Sequence, residues 1–110
     1  MVKFIVVCHR RADWTREEFR RYFKTVHEPL ALAIPGLRRY VQNFAQPDER
    51  RDPQWDAVIE LSFDDHAAME AAWRSDAGIR AGADNARCMD LTRSSWSVVE
   101  ELVVRAGDAG

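Results

Sequence analysis

Among the three histidines of this chain, His27 has the setting best suited to moving a proton. It follows Phe19, Tyr22, Phe23 and Val26, which recur at helical spacing and form one apolar stripe, so it falls near the end of an amphipathic helix. An unperturbed imidazole titrates at about 6.5, which suits a general base or acid near neutral pH. Taken by itself, a histidine so placed serves equally well to cap a helix end or bond a backbone carbonyl. His9 ends an apolar run beside Arg10-Arg11, and His66 falls in the first turn of a helix expected to be exposed. No His-x-His or His-Glu-x-x-His spacing occurs, so no metal site is expected.

Tyr40, Asn43, Asp56 and Glu60 are polar residues that a pocket could use. A tyrosine can donate to a carbonyl or enolate oxygen, and a carboxylate can orient the histidine or accept a proton. The ordinary roles are a core tyrosine with a hydrated hydroxyl, a strand-end asparagine and an exposed Asp56. Glu60 lies mid-strand between Val58 and Ser62, where an ion pair or solvation accounts for it as well as catalysis does. Trp73, Trp96 and Phe44 could line an aromatic cavity for a planar ligand, or simply pack the core. Arg38 and Arg39 could attract a carboxylate, although solvated surface arginines are the commoner case.

The elements that must position these residues are legible. Thr15-Arg16-Glu17-Glu18 is a capping box: the Thr15 hydroxyl can accept from a first-turn amide while Glu18 reaches back. The helix that follows spans about Arg16 to Val26 and is either extended or broken by a turn at Glu28-Pro29, since proline can begin a new turn but disrupts a helix interior. Leu30 to Ile34 is an apolar segment ending in a turn at Pro35-Gly36. Strands are expected at Val2–His9, Leu37–Ala45, Trp55–Phe63 and Ser95–Val104, from β-branched content and period-two alternation. Asp64 or Asp65 can cap a second helix to about Arg74; Ser75–Asn85 reads as a looser helical segment that Asp76 could cap. The order is β-α-β-β-α-β, an α+β ferredoxin-like layout over residues 1–105, with 106–110 as a tail. Two helices cover one sheet face; the other keeps apolar rows that a second copy would bury, so a homodimer is expected.

The chain has 110 residues, enough for one ordinary domain, and its 46% apolar and 31% charged composition fits a globular rather than a disordered chain. Its formal net charge of -2, with basic pairs mostly accompanied by acids, argues against a nucleic-acid surface. No stretch approaches the roughly 20 apolar residues of a membrane helix. Two cysteines, Cys8 and Cys88, are too few for a disulfide framework, and Met1-Val2-Lys3 lacks a signal-peptide layout. A cytoplasmic setting follows. Gly78 and Gly82 lack the strand-turn-helix context of a dinucleotide site, and no Ser-His-Asp elbow is present, so no cofactor is expected.

Phe19-Arg20-Arg21-Tyr22, His27, Pro29-Leu30 and Pro35-Gly36-Leu37-Arg38-Arg39-Tyr40 resemble the EthD family of the dimeric α+β barrel group. The similarity runs from the first strand to Val99-Glu100-Glu101. The resemblance implies a ferredoxin-like subunit whose sheet packs on its mate, with a cavity between sheet and helices. Family relatives include methylmuconolactone isomerases, polyketide-type cyclases or dehydratases, and proteins linked to ether degradation. In isomerase-like members a histidine at the end of the first helix lies at the pocket, and His27 matches it. The catalytic cysteine of such members has no match, because Cys88 lies late in the chain. Haem monooxygenases use similar barrels, which would make His27 an axial ligand; the proton-carrier role is preferred.

Residues and resemblance together lead to a small cofactor-independent enzyme, an isomerase, cyclase or dehydratase of a hydrophobic, oxygenated, cyclic or aromatic metabolite. His27 and Tyr40 would be catalytic, with Asn43, Glu60, Trp73 and Trp96 binding substrate. The alternatives are a noncatalytic accessory protein holding a small hydrophobic ligand in the same cavity, and a structural dimer whose cavity is filled by its own side chains.

Overall fold

The architecture was obtained as a computed structural model, which describes residues 1–107. The chain runs β1 (Val2–Cys8), α1 (Arg16–Tyr22), a π-helical turn (Phe23–His27), α2 (Glu28–Leu32), β2 (Arg39–Phe44), β3 (Ala57–Phe63), α3 (His66–Arg74), α4 (Asp76–Cys88) and β4 (Ser95–Val99). The four strands form one antiparallel sheet in the order β2-β3-β1-β4. This is the ferredoxin-like arrangement, with the helices on one face. The tail expected from residue 106 lies, beyond Gly107, outside the described residues.

Strand register sorts the side chains into two layers. Phe4 stands opposite Leu61 and Val98, Val6 opposite Ile59 and Trp96, and Tyr40 opposite Leu61. Of these, Phe4, Val6, Tyr40, Ile59 and Leu61 join Phe19, Phe23, Phe63 and Met69 in and around the core, whereas Trp96 and Val98 on the edge strand stay exposed. The opposite rows pair Ile5 with Glu60, Val7 with Val58 and Asn43 with Val58, on the face that no helix covers.

The first helix begins as its sequence requires. Thr15 Oγ1 accepts from the Glu18 amide at 3.1 Å, and Glu18 Oε1 accepts from the Thr15 amide at 3.0 Å. Of the two courses open after Val26, it takes the extended one, and helical backbone continues through Leu32. The widened turn lets the Glu28 amide bond the Phe23 carbonyl, five residues back, and Pro29 falls in the first turn of α2, where its missing N–H does little harm. His27 therefore sits mid-helix, at the wide turn. After α2, Gly36 adopts φ 79°, a conformation that favours glycine, and turns the chain into β2.

Two further boundaries differ from expectation. The cap of α4 is Ser75, whose hydroxyl accepts from the Gly78 amide at 3.0 Å, rather than Asp76. Gly78 is needed there: a Cβ would lie 2.0 Å from the Ala72 carbonyl oxygen at the end of α3. β4 ends at Val99 instead of Val104 because Val99 pairs with Lys3, close to the start of β1, where partner residues run out. Leu102, Val103 and Val104 are exposed beyond it.

Candidate active site

A cavity of about 360 Å³ opens between the sheet and the helices. Its floor comes from the helix-facing rows of β1 and β3, and its walls from the π-helical turn, α2 and α4. His27, Tyr40, Trp73 and Trp96 all line it. Trp73 packs edge-on against Phe4 and Phe63, at centroid distances of 5.1 and 5.3 Å, so its ring is fixed by the core while it borders the cavity.

Asn43 and Glu60 are not part of this wall. Both lie on the uncovered sheet face, where Asn43 Nδ2 donates to Glu60 Oε2 at 3.0 Å and Lys3 Nζ donates to Glu60 Oε1 at 2.7 Å. Lys3 also pairs with Glu101. Mid-strand Glu60 is thus an ion-pair partner, held below the usual carboxylate range chiefly by Lys3 and then by Asn43. Phe44 likewise belongs to the core, 5.8 Å from Phe23 and 6.5 Å from Phe19 between ring centroids. Asp56 is buried rather than exposed: it accepts from Arg10 Nη1 at 2.8 Å and from the Arg10 amide at 2.8 Å. Arg38 is paired with Asp64 at 3.0 Å.

His27 is buried, and its Nδ1 stands 2.9 Å from Oδ2 of the equally buried Asp84. Tyr22 donates its hydroxyl to the other oxygen of Asp84 at 2.6 Å. With Asp84 an acceptor, Nδ1 carries the proton, leaving Nε2 as the free lone pair of a residue that lines the cavity. Tyr22 and Asp84 together fix the imidazole's orientation, much as a carboxylate does in a catalytic triad.

Tyr40 is the second polar group of the wall. Burial pushes its phenol up to about 12, so it stays protonated at neutral pH. Gln42 Nε2 donates to the Tyr40 oxygen at 3.2 Å and to Glu28 Oε1 at 2.9 Å, so the Tyr40 proton is left for a ligand oxygen. Sequence reading missed Asp84, Tyr22 as its partner, and Asn85, which also lines the cavity. The available signal was a single carboxylate on the stripe Ala81, Asp84, Cys88 of α4, spaced three and four residues apart among small buried side chains.

His27, Asp84 and Cys88 offer a nitrogen, an oxygen and a sulfur atom within 4.8 Å of one another. Such a donor set could hold a divalent transition metal, but only by replacing the His27–Asp84 hydrogen bond. Burial pushes the Cys88 thiol up to about 12, so it offers no thiolate at neutral pH unless a metal draws the proton off.

The EthD domain matches residues 11–92, which includes the π-helical turn, Tyr40 and Asp84. The chain belongs to the EthD family. An EthD family protein from Bacillus halodurans is 25% identical, with a TM-score of 0.81 over 93% of this chain and 99% of that one. A dimeric ferredoxin-like protein from Bacteroides fragilis is 18% identical, with a TM-score of 0.67 over 91% of this EthD chain and 95% of its own. SnoaB, a cofactor-independent oxygenase from Streptomyces nogalater, is 17% identical, with a TM-score of 0.62 over 91% of each chain. No curated protein matches. Among the described residues, no helix is long and apolar enough to cross a membrane.

Proposed function

We propose that this EthD protein is a cofactor-independent enzyme that moves protons on a hydrophobic, oxygenated, cyclic or aromatic metabolite, by isomerisation, cyclisation or dehydration. The observation that carries the reading is the buried His27–Asp84 pair on the wall of an otherwise largely apolar cavity. His27 Nε2 takes a proton from a carbon next to a substrate carbonyl, and the Asp84 carboxylate stabilises the imidazolium that forms. Tyr40 donates its proton as a hydrogen bond to the enolate oxygen that develops. His27 then returns the proton at a second position, or to a departing hydroxyl. Trp73 and Trp96 hold the ring by their faces. That SnoaB acts without a cofactor on the same fold supports a cavity that works through side chains alone.

The working unit is proposed to be a homodimer formed through the uncovered sheet face, in line with dimeric ferredoxin-like neighbours. The two free, buried cysteines support a reducing, cytoplasmic setting.

Proton exchange at 2-tetralone in heavy water, followed by NMR, tests the chemistry without knowledge of the natural substrate. The wild-type protein should accelerate deuterium uptake next to the carbonyl. His27→Ala should remain folded and lose the acceleration. Saturable quenching of Trp73 or Trp96 fluorescence without exchange would instead establish the accessory, ligand-holding role.

A further inference from the structure

We propose that the cavity selects an uncharged, flat, at least bicyclic ligand, with Gly82 leaving room for the second ring and Asn85 bonding a ring oxygen. The inference rests on reading this cavity as a ligand site, and it concerns recognition rather than turnover.

Charge decides the first part. Among the described residues, no aspartate, glutamate, lysine or arginine lines the cavity; its polar side chains are His27, Tyr40 and Asn85, beside the indoles of Trp73 and Trp96. His27 already has a carboxylate, Asp84, 2.9 Å from Nδ1. A carboxylate entering this cavity would lose its hydration against a wall that offers no lysine or arginine, which is strongly unfavourable. A muconolactone-type acid is therefore a poor fit, and a neutral phenol, ketone or quinone a good one.

Shape decides the second part. Glycine inside a helix is less favourable than alanine, so each glycine of α4 needs a reason. Gly78 has one in its contact with the Ala72 carbonyl. Gly82 has no such neighbour: a Cβ built there meets nothing within 4 Å, yet the residue lines the cavity. It stands between Ile79 and Asn85 at three-residue spacing on one helix face, and Ile79 is 58% exposed, which places this row at the cavity mouth. The missing side chain widens the mouth. A volume of about 360 Å³ sits at the small end of small-molecule sites, which suits two fused rings between the aromatic walls. The Asn85 side-chain amide makes no hydrogen bond among the described residues, so both its donor and its acceptor are open to a ligand.

Binding of 2-naphthol, 2-naphthoate and phenol to the full chain, by tryptophan fluorescence and calorimetry, tests the proposal. 2-Naphthol should bind saturably and 2-naphthoate at least tenfold more weakly; equal affinities would overturn the claim of an uncharged ligand. Gly82→Leu should weaken 2-naphthol by tenfold or more while changing phenol less than twofold. Equal effects on the two probes, or none, would overturn the role of Gly82. Should Gly82→Leu melt early, Gly82→Ala decides: the ratio of naphthol to phenol affinity should fall, and an unchanged ratio counts against the inference. Asn85→Ala should weaken 2-naphthol severalfold and leave naphthalene unchanged; equal losses would remove Asn85 from recognition. Absence of all binding would overturn both this inference and the enzymatic reading, whereas normal binding without proton exchange would overturn only the latter.

Discussion

Asp84 and His27 lie 57 positions apart in the chain and 2.9 Å apart in the fold, joined carboxylate to imidazole inside the protein. The contact joins α4 to the wide turn of the first helix and orients a histidine that lines the cavity. Tyr22, one helical turn before His27, holds the far oxygen of Asp84. Local helix geometry and a long-range contact thus converge on one carboxylate.

On the proposed reading Asp84 positions His27, and its replacement should affect rate more than binding. Asp84→Asn should lower kcat for proton exchange by about 10²-fold or more, within the range general acid–base catalysis contributes, with KM little changed. Asp84→Glu should recover part of the loss. A rise in KM at unchanged kcat would show that Asp84 shapes the cavity instead. Tyr22→Phe removes a donor to the carboxylate and should cost about 1–3 kcal/mol in chemical denaturation.

Glu60 makes stability depend on acid pH. Its folded pKa is lowered, first by the Lys3 bond and then by Asn43, from an ordinary value of 4.5. A lowered folded pKa adds stability above the unfolded value, and that contribution is lost as pH falls through the folded value. Wild-type stability should therefore decline from about pH 4.5 downward more steeply than that of Glu60→Gln, which starts lower at neutral pH. Parallel acid limbs would show that the ion pair contributes nothing.

The uncovered face carries Ile5, Val7, Val41 and Val58 around the Lys3–Glu60 pair. On the proposed homodimer, Val58→Arg should place a charge among these apolar rows and shift sedimentation from dimer to monomer without changing the far-ultraviolet circular dichroism. A variant that remains dimeric would place the interface elsewhere.

Both thiols should be silent in the native state. Burial pushes Cys8 and Cys88 up to about 12, and neither is accessible to solvent. A thiol reagent at pH 8 should label them only at the rate of unfolding. Rapid stoichiometric labelling of native protein would contradict this burial.

Local rules made much of the scaffold legible. Thr15 and Glu18 announce their capping box by type and spacing, and Pro35-Gly36 announces its turn, because these features depend on neighbours within four residues. Alternation along β2 and β3 was equally readable. Tyr40 and Asn43, three residues apart on one strand, must point to opposite faces, so parity alone denied them a shared pocket. Which face would receive the helices, and hence that Tyr40 borders the cavity while Asn43 and Glu60 join Lys3, required the assembled sheet. Local reading left open whether the helix extends past Val26 or breaks, because the widened turn that accommodates Pro29 has no signature in residue type or spacing. Asp84 was hidden most completely. Its sequence neighbours show only a carboxylate in an alanine-rich helix, and its partner enters from another helix across β2, β3 and α3. Sequence by itself determined the elements, their order and the residue types available for proton transfer, since propensity, capping and periodicity act over short chain separations. Only the tertiary structure decided which of those residues meet, because that depends on how the helices cross the sheet.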